Sequence, residues 1–369
     1  MRLAGRELVA LLDGAAEYDE GTAGGLVPHR LPSWARAQVD DVLLSYVEQC
    51  ATGVRLRFDT AATQARLTVS TRTIAAPDAE PSAPTMVARR GGAEAVITLE
   101  HPTVVVVDER GVQSVRHAPP ETVEVPLAGT GPVDIFLPHN ARTEIIALET
   151  DDRVSPVSAD GTRWTHYGSS ISNGLNALHP TRTWPAQAAT ALGWHLRDLS
   201  FAGNAQLDPF AARLIASIPA DIITLKVGIN LVNADSMRER TFRPALHGFL
   251  DTIRENQPRT DVVVITAIAC PIHESSPGPV VAGDGGMMRT ATRSLDSDAG
   301  ALTLARTREL VAEVVSARQT ADAALTLIDG RTLFGESDVA HLYDGLHPDQ
   351  DGLDLIARRF TDGVGALRS

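Results

Sequence analysis

The feature that most constrains the fold is a change in the spacing of apolar residues partway along the chain. Between about residues 53 and 151, apolar side chains recur at every second position, as in VRLRF at 54–58. Short strands of this kind, separated by Gly, Pro, Asp or Asn, are typical of an antiparallel sandwich. Residues 77–92 are rich in Pro, Ala and Gly and are interpreted as a loop between strands.

After residue 161 the pattern changes to continuous apolar runs that alternate with segments of helical spacing. The runs cover 196–201, 222–227, 262–269 and 324–328, and the helical segments cover 183–192, 237–256 and 302–318. This alternation predicts a parallel sheet with helices on both faces. We therefore expect two domains, 1–155 and 156–369, in agreement with a length of 369 residues.

Composition narrows the possible partners. The formal net charge is −13, which argues against a nucleic-acid partner and against docking on anionic lipid, because both need clustered Lys and Arg. Residues 1–14 lack the pattern of a secretory signal, and no run of some 18 apolar residues occurs, so the sequence favours a cytoplasmic protein without membrane contact. Of the two cysteines, Cys270 ends an apolar run and is expected to be a buried thiol.

Four short polar elements follow predicted strands of the second half, the first after a short run at 162–167 and the last after a loop. They are GSSI at 168–171, GN at 203–204, GIN at 228–230 and DGLH at 344–347. Each element is common by itself. Ligands of parallel sheets gather at the carboxyl ends of the strands, so the order and placement of all four predict one shared site.

These elements contain the parts of acyl transfer through a serine. Ser170 can act as a nucleophile if His347 accepts its proton and Asp344, three residues earlier, fixes the tautomer of the imidazole. The backbone N–H groups of Ser170 and Gly203 and the side-chain amide of Asn230 are expected to bind the oxyanion. Ordinary structural roles remain open for each: a helix N-cap for Ser170, and turn formation for Gly203, Asn230 and Asp344.

The set resembles the SGNH (GDSL) hydrolase family, whose four hallmark residues match Ser170, Gly203, Asn230 and His347 in order, with Asp344 at the usual offset. The resemblance covers about residues 160–365. It implies a flavodoxin-like α/β/α hydrolase domain, preceded here by an all-β, jelly-roll-like sandwich. This arrangement is similar to that of some carbohydrate esterases and of actinobacterial GDSL proteins that esterify natural products.

The sequence departs from the family pattern at two positions. Ser169 replaces the aspartate of G-D-S-[LI], and Leu231 replaces the aspartate of G-x-N-D. Neither change affects a position expected to transfer a proton or bind the oxyanion. Because residue 172 is Ser, the stretch is also distinct from the G-x-S-x-G elbow of α/β-hydrolases.

The glycine-rich stretch 271–300 follows the predicted strand at 262–269, so we expect it to lie over the site. Met287 and Met288 are candidates to line an acyl pocket, as part of a mobile lid. His273 and Glu274, at its start, are candidates to contact substrate. A disordered surface loop is the alternative.

The resulting expectation is a serine esterase that cleaves an ester of an acylated sugar or secondary metabolite without a metal or organic cofactor. The same acyl-enzyme could pass its acyl group to an alcohol, which would make the protein an O-acyltransferase. A third possibility is a catalytically dead carbohydrate-binding protein, in which the sandwich binds a glycan. Trp34 is the single tryptophan in residues 1–151 available for stacking on a sugar. Oligomeric state is left open by the sequence.

Overall fold

The computed structural model describes residues 1–77, 82–108, 111–293 and 299–368, and the chain divides into two compact units. Unit 1 comprises Met1–Asp160 and Leu178–Thr181, and unit 2 comprises Gly161–Ala177 and Arg182–Ser369. The boundary expected from sequence, between residues 155 and 156, falls within a short strand that pairs inside unit 1.

Unit 1 is built from two β-sheets. Its strands are β1 (Arg2–Ala4), β2 (Leu12–Asp13), β3 (Glu17–Glu20), β4 (Leu26–His29), β5 (Arg55–Asp59), β6 (Gln64–Ala75), β7 (Thr85–Arg90), β8 (Ala93–Thr98), β9 (Thr103–Asp108), β10 (Gly111–Arg116), β11 (Glu121–Pro126), β12 (Val133–Phe136), β13 (Arg142–Thr150) and β14 (Ser155–Pro156). One sheet contains β1, β3, β4, β6, β9, β10, β11 and β13, and the other contains β2, β5, β7, β8, β12 and β14. Two short helices, α1 (Ser33–Arg36) and α2 (Val42–Val47), precede β5.

The two sheets of unit 1 share one hydrophobic core, which confirms the predicted sandwich. Leu67 and Val69 of β6 are fully buried in the same cluster as Leu56 of β5 and Ile135 of β12. The alternation of buried and accessible residues along β6 is what a strand with one face on this core requires. The pairing is antiparallel except between β6 and β9, which run parallel.

The interpretation of residues 77–92 as a loop was wrong for its second half. Strand β7 occupies Thr85–Arg90 and pairs with both β8 and β12. Met86, Val87 and Ala88 are buried there, so burial against the other sheet outweighs the turn-like composition around them. Residues 78–81 of the predicted loop lie outside the described residues.

Unit 2 contains a five-stranded parallel sheet. Its strands are β15 (Arg163–Gly168), β16 (His195–Ser200), β17 (Ile222–Lys226), β18 (Asp261–Ile265) and β21 (Leu325–Ile328), in the order β16-β15-β17-β18-β21. A separate two-stranded hairpin is formed by β19 (Val280–Ala282) and β20 (Met288–Thr290). From β15 the chain proceeds to β16 on one side and then to β17 on the other side, so the direction of strand order reverses at β15. In open α/β sheets, ligands bind at the carboxyl ends of the strands at such a position.

Helices cover both faces of this sheet, as the sequence predicts. They are α3 (Ser170–Asn173), α4 (Trp184–Leu192), α5 (Pro209–Ser217), α6 (Ile229–Asn233), α7 (Glu239–Asn256), α8 (Leu304–Gln319) and α9 (Gln350–Arg368). On one face Trp164 of β15 stacks on Phe360 of α9, with 5.2 Å between ring centroids. Tyr167, three residues later, contacts Phe249 of α7 on the other face. In the described part of the chain, no helix is long and apolar enough to cross a membrane.

Residues 271–293 contain regular elements, unlike the disordered surface loop that was the alternative for this stretch, and the mobile lid stays a prediction. A 3-10 turn at Pro271–His273 leads to the β19–β20 hairpin, whose tip is a second such turn at Asp284–Gly286. Glycines at the tip adopt positive φ, at Gly285 and Gly286, which accounts for the glycine-rich sequence. Residues 294–298 of this stretch lie outside the described residues.

Candidate active site

Ser170 lies where the central part of the parallel sheet passes into a helix. Strand β15 ends at Gly168, and α3 begins at Ser170. The N-cap of α3 is Ser169, whose Oγ accepts a hydrogen bond of 3.3 Å from the backbone N–H of Ile171. The capping role that sequence left open for Ser170 therefore belongs to its neighbour, and the Ser170 hydroxyl is available for another partner.

That partner is His347, which lies 177 residues later in the chain. Ser170 Oγ and His347 Nε2 are 3.0 Å apart, within hydrogen-bond distance. On the other side of the ring, His347 Nδ1 is 2.7 Å from Asp344 Oδ2. A carboxylate at Nδ1 selects the tautomer with a proton there, which leaves Nε2 as the acceptor that faces the serine hydroxyl.

Asp344 is fixed by its backbone neighbours as well as by the ring. Its Oδ1 accepts hydrogen bonds from the backbone N–H groups of Leu346, at 2.9 Å, and His347, at 2.7 Å. Burial acts to raise the pKa of this carboxyl, but the hydrogen bonds from the His347 ring and from the two backbone N–H groups outweigh it, and the pKa is lowered. The carboxylate is therefore ionised at neutral pH and can stabilise an imidazolium beside it.

Asn230 presents an unpaired donor. It lies in α6 just after β17, and it is buried, with 1% of its surface exposed. Its Oδ1 accepts a hydrogen bond of 3.1 Å from the backbone N–H of Ala205, which fixes the orientation of the amide. Its Nδ2 has no hydrogen-bond partner among the described residues, and a buried amide donor in that state is costly unless a ligand or water accepts from it.

Gly203 lies in the 3-10 turn Ala202–Asn204 that follows β16. This turn packs against α3, which carries Ser170, and against α6, which carries Asn230. Ala202 adopts a φ of +48°, a left-handed conformation that is unfavourable for a residue with a side chain. Strain of this kind in a turn beside the serine is a feature that sequence analysis missed, because alanine carries no signal for it.

The turn that contains Asp344 and His347 is tied to two other segments. The backbone N–H of Met288 donates to the Asp344 carbonyl at 2.7 Å, and the Cys270 thiol lies 3.6 Å from the Gly345 carbonyl. Gly345 itself has a φ of +84°, which a residue with a Cβ would adopt only with strain. Cys270 is buried, as predicted, and burial raises the pKa of its thiol to about 12.

The four loop candidates separate into two pairs. Met287 and Met288 lie beside the Asp344–His347 turn, with the Met287 Cε near Gly345, and Met287 is 47% exposed. His273 is buried, its Nδ1 lies 3.1 Å from the Ser276 carbonyl, and burial lowers its pKa. Glu274 pairs with Arg308 at 2.6 Å. The methionines thus lie next to the candidate site, whereas Glu274 forms an ion pair with Arg308. A substrate role for any of the four stays a prediction.

Tyr343 was not identified from sequence. Its ring lies nearly parallel to that of His347, with 6.2 Å between centroids and an interplanar angle of 26°, and the residue is 55% exposed. An exposed aromatic ring next to a candidate base offers a flat apolar surface to a ligand. In the sequence, the one feature that could have pointed to Tyr343 is its position directly before Asp344.

Among the described residues, no group of three or more His, Cys, Asp or Glu side chains could hold a metal ion.

Comparisons with known proteins identify the family of this chain. A family model described as GDSL-like lipase/acylhydrolase matches residues 166–355. No match was found among curated proteins.

Three solved structures are similar over nearly the whole chain. The first is a salicylyl-acyltransferase, SsfX3, from a tetracycline biosynthetic pathway, with 23% identity and a TM-score of 0.81 over 100% of this chain and 97% of that one. The second is a GDSL-like lipase from Bacteroides ovatus, described as putative, with 17% identity and a TM-score of 0.67 over 99% of this chain and 97% of that one. The third is a family two carbohydrate esterase from Cellvibrio japonicus, with 12% identity and a TM-score of 0.56 over 99% of this chain and 96% of that one. At these identities the likenesses show the fold.

Proposed function

The chain belongs to the GDSL-like lipase/acylhydrolase family, and on that premise we propose that it cleaves an ester by forming an acyl-enzyme on Ser170. The observation that carries the proposal is the hydrogen-bonded series Ser170–His347–Asp344, with 3.0 Å between Oγ and Nε2 and 2.7 Å between Nδ1 and Oδ2. Both distances lie in the range that proton transfer requires. A serine held only by helix capping would have no reason to face an imidazole oriented by a carboxylate.

In the first half-reaction, Ser170 Oγ attacks the ester carbonyl carbon and its proton passes to His347 Nε2. Asp344 stabilises the imidazolium that results. The tetrahedral intermediate collapses, the C–O bond to the alcohol breaks, and the same proton leaves on the alkoxide. The acyl group is then bonded to Ser170.

In the second half-reaction water takes the place of the alcohol. His347 removes a proton from water, the hydroxide attacks the acyl carbon, and the proton returns to Ser170 Oγ as the acid leaves. Negative charge develops on the carbonyl oxygen in both halves. The unpaired Nδ2 of Asn230 supports its proposed role as a donor to that oxygen, together with the backbone N–H groups of Ser170 and Gly203.

A second candidate function is transfer of the acyl group to an alcohol of a small molecule. It is supported by the likeness of the whole chain to a salicylyl-acyltransferase, which exceeds in TM-score its likeness to the carbohydrate esterase. The exposed side chains at the candidate site also offer an apolar surface to an aromatic acyl group or acceptor, since Tyr343 lies beside His347, Met287 lies near Gly345, and each is about half exposed.

The test of acyl-enzyme chemistry is covalent labelling. A serine-directed phosphonate should modify the protein once, at Ser170, and mass spectrometry of a digest locates the adduct. Ser170→Ala should abolish both labelling and turnover of an activated ester such as 4-nitrophenyl acetate, whereas Ser236→Ala, an exposed serine of unit 2, should change neither. Labelling elsewhere, or turnover that survives Ser170→Ala, would contradict the proposal.

The choice between hydrolysis and transfer is tested by partitioning. The enzyme is incubated with an activated ester and a series of alcohols, and the free acid and new ester are quantified by liquid chromatography. Hydrolysis predicts acid as the product at every alcohol concentration. Transfer predicts a new ester whose share rises and saturates with the alcohol, while consumption of the activated ester continues to depend on Ser170.

A further inference from the structure

Two arginines of unit 1 face each other across neighbouring strands of the larger sheet. Arg72 of β6 and Arg142 of β13 are direct partners in the antiparallel register. Side chains at directly opposed positions lie on the same face of a sheet, with Cβ atoms about 4.5–5.5 Å apart. Like charges at such positions destabilise the pair, so a negative charge bound between them would stabilise it.

The surrounding protein supplies little of that charge. Neither guanidinium forms a hydrogen bond or ion pair with another described residue, and the Nε of Arg142 is buried without a partner. Each of the other described arginines of unit 1 that is at least partly buried has a carboxylate or backbone partner for its guanidinium, although the Nε atoms of Arg36, Arg55 and Arg57 also lack a hydrogen bond. Arg36, Arg55, Arg57 and Arg89 pair with carboxylates, and Arg30 and Arg90 donate to backbone carbonyls.

The nearest acidic group is already committed. Glu144 lies two residues beyond Arg142 on the same face, and its Oε1 accepts hydrogen bonds from the backbone N–H groups of Ala23 and Gly25, at 2.8 and 2.9 Å. Burial lowers the pKa of Arg142, and the charge of Arg72 lowers it further, while Glu144, Asp19 and Glu48 act in the opposite direction. Asp19 pairs with Arg36, and Glu48 is hydrogen-bonded to His29. Within the lining of the cavity, two guanidiniums face one carboxylate.

The arginines line a cavity of about 290 Å³ on this face of the sheet. Polar groups border the remaining walls: Ser70 lies on β6, Thr103 on β9 in register with Arg72, and exposed His117 just after β10. The cavity is at the lower end of the size range of small-molecule sites. It has room for one anionic group and a body about the size of a sugar ring.

We propose that this cavity binds a small molecule through its oxyanion, a carboxylate or a phosphate, held between the guanidiniums of Arg72 and Arg142. A guanidinium presents N–H donors in a planar fork that matches the oxygens of either group, and such charge-assisted hydrogen bonds are stronger than neutral ones. The ligand supplies the negative charge that the opposed arginines lack. This site lies wholly in unit 1 and is independent of the reaction proposed for Ser170.

The experiment is isothermal titration of the full chain with glucuronate and with inorganic phosphate, with glucose as the neutral control. We expect saturable binding of at least one anion at one site and no binding of glucose. Arg142→Met should weaken that binding at least about tenfold, because a charge-assisted hydrogen bond is lost. Arg153→Met, which removes an exposed arginine of unit 1, should leave it unchanged. Binding of glucuronate alone identifies a carboxylate ligand, and binding of phosphate alone identifies a phosphate ligand.

A thermal melt provides the second measurement and protects the test against a variant that folds poorly. The bound anion should raise the melting temperature of the wild type, and this increase should disappear in Arg142→Met and in Arg72→Gln. In buffer without the anion, removal of one of two opposed like charges should not lower the melting temperature. The proposal is overturned if neither anion binds, or if both variants bind as the wild type does. It is also overturned if both variants lose stability equally with and without anion.

Discussion

Lys226 is the single lysine of the sequence, and replacing it with methionine should stabilise unit 2. It is the last residue of β17, it is buried with 1% of its surface exposed, and its Nζ has no hydrogen-bond partner among the described residues. The pKa of this ammonium is lowered from 10.5 to about 8, chiefly by burial and then by the charge of Arg308, with Cys270 acting in the opposite direction. A methionine of similar length fills the same space without a charge.

The magnitude follows from linkage. A pKa that is lower in the folded state means that folding disfavours the protonated amine. The cost is about 1.4 kcal/mol for each unit by which the pKa in the folded state lies below that in the unfolded state. The fall from 10.5 to about 8 corresponds to about 3 kcal/mol. This cost is present in full below pH 8, where both states are protonated. It shrinks between pH 8 and 10.5, and it vanishes above 10.5, where both states are neutral.

The assay is urea unfolding of wild type and Lys226→Met, followed by tryptophan fluorescence. Trp164, Trp184 and Trp194 all lie in unit 2, so the signal reports mainly on the unit that contains the substitution. We expect the variant to be more stable by about 3 kcal/mol at pH 7, with an unchanged denaturant dependence. The difference in the free energy of unfolding between variant and wild type should shrink steadily as the pH rises from 8 to 10.5. Groups that titrate equally in both proteins do not contribute to this difference.

Because the chain has one lysine, its pKa can also be measured directly. Lysine labelled with ¹³C at Cε should give one NMR signal that titrates near pH 8 rather than near 10.5. The reasoning is wrong if the methionine variant is less stable than wild type at pH 7, or if the stability gain is the same at pH 7 and 10.5. A Cε signal that titrates near 10.5 would equally refute it.

Three further predictions concern the candidate active site. Asn230→Ala should lower kcat by about 10²–10³-fold with little change in KM, since an oxyanion donor acts in the transition state. The control is Asn256→Ala, at an exposed asparagine, which should change neither constant. An effect of Asn230→Ala confined to KM would contradict the assignment. Asp344→Asn keeps the side-chain shape but not the charge, so ester turnover should fall by about 10³–10⁴-fold. Tyr343→Ala should reduce turnover of benzoate esters about 2–10-fold relative to acetate esters, as the loss of one aromatic contact requires; an equal effect on both would exclude stacking on the substrate.

Much of unit 2 could be predicted from the sequence because its signals are local. Parallel strands buried on both faces are continuous apolar runs, and the predicted strands and helices of 183–328 differ from the observed elements mainly by a few residues at their ends. The polar elements after these strands meet at one edge because the topology of a parallel sheet requires it. That topology brings the segments with Ser170 and with Asp344 and His347 together, whereas the distances between their side chains are known only from the structure.

Other features depend on contacts that a linear pattern does not contain. Strand β7 was missed because its flanking residues resemble a turn, although the side chains of Met86, Val87 and Ala88 at its centre are buried. The opposition of Arg72 and Arg142 arises from a register between strands far apart in the chain. The free donor of Asn230 exists because Ala205, on a different loop, occupies the other end of its amide. None of these could be read from residue type and spacing alone.

The hydrogen bond from Met288 to the Asp344 carbonyl has a consequence for anyone who redesigns this protein. The β19–β20 hairpin borders the candidate site, and it would be an obvious segment to exchange for that of a relative in order to alter substrate preference. Its second strand, however, also contacts the backbone of the turn that carries His347, the proposed general base. A transplanted hairpin must therefore reproduce this one backbone contact, or selectivity and rate will change together.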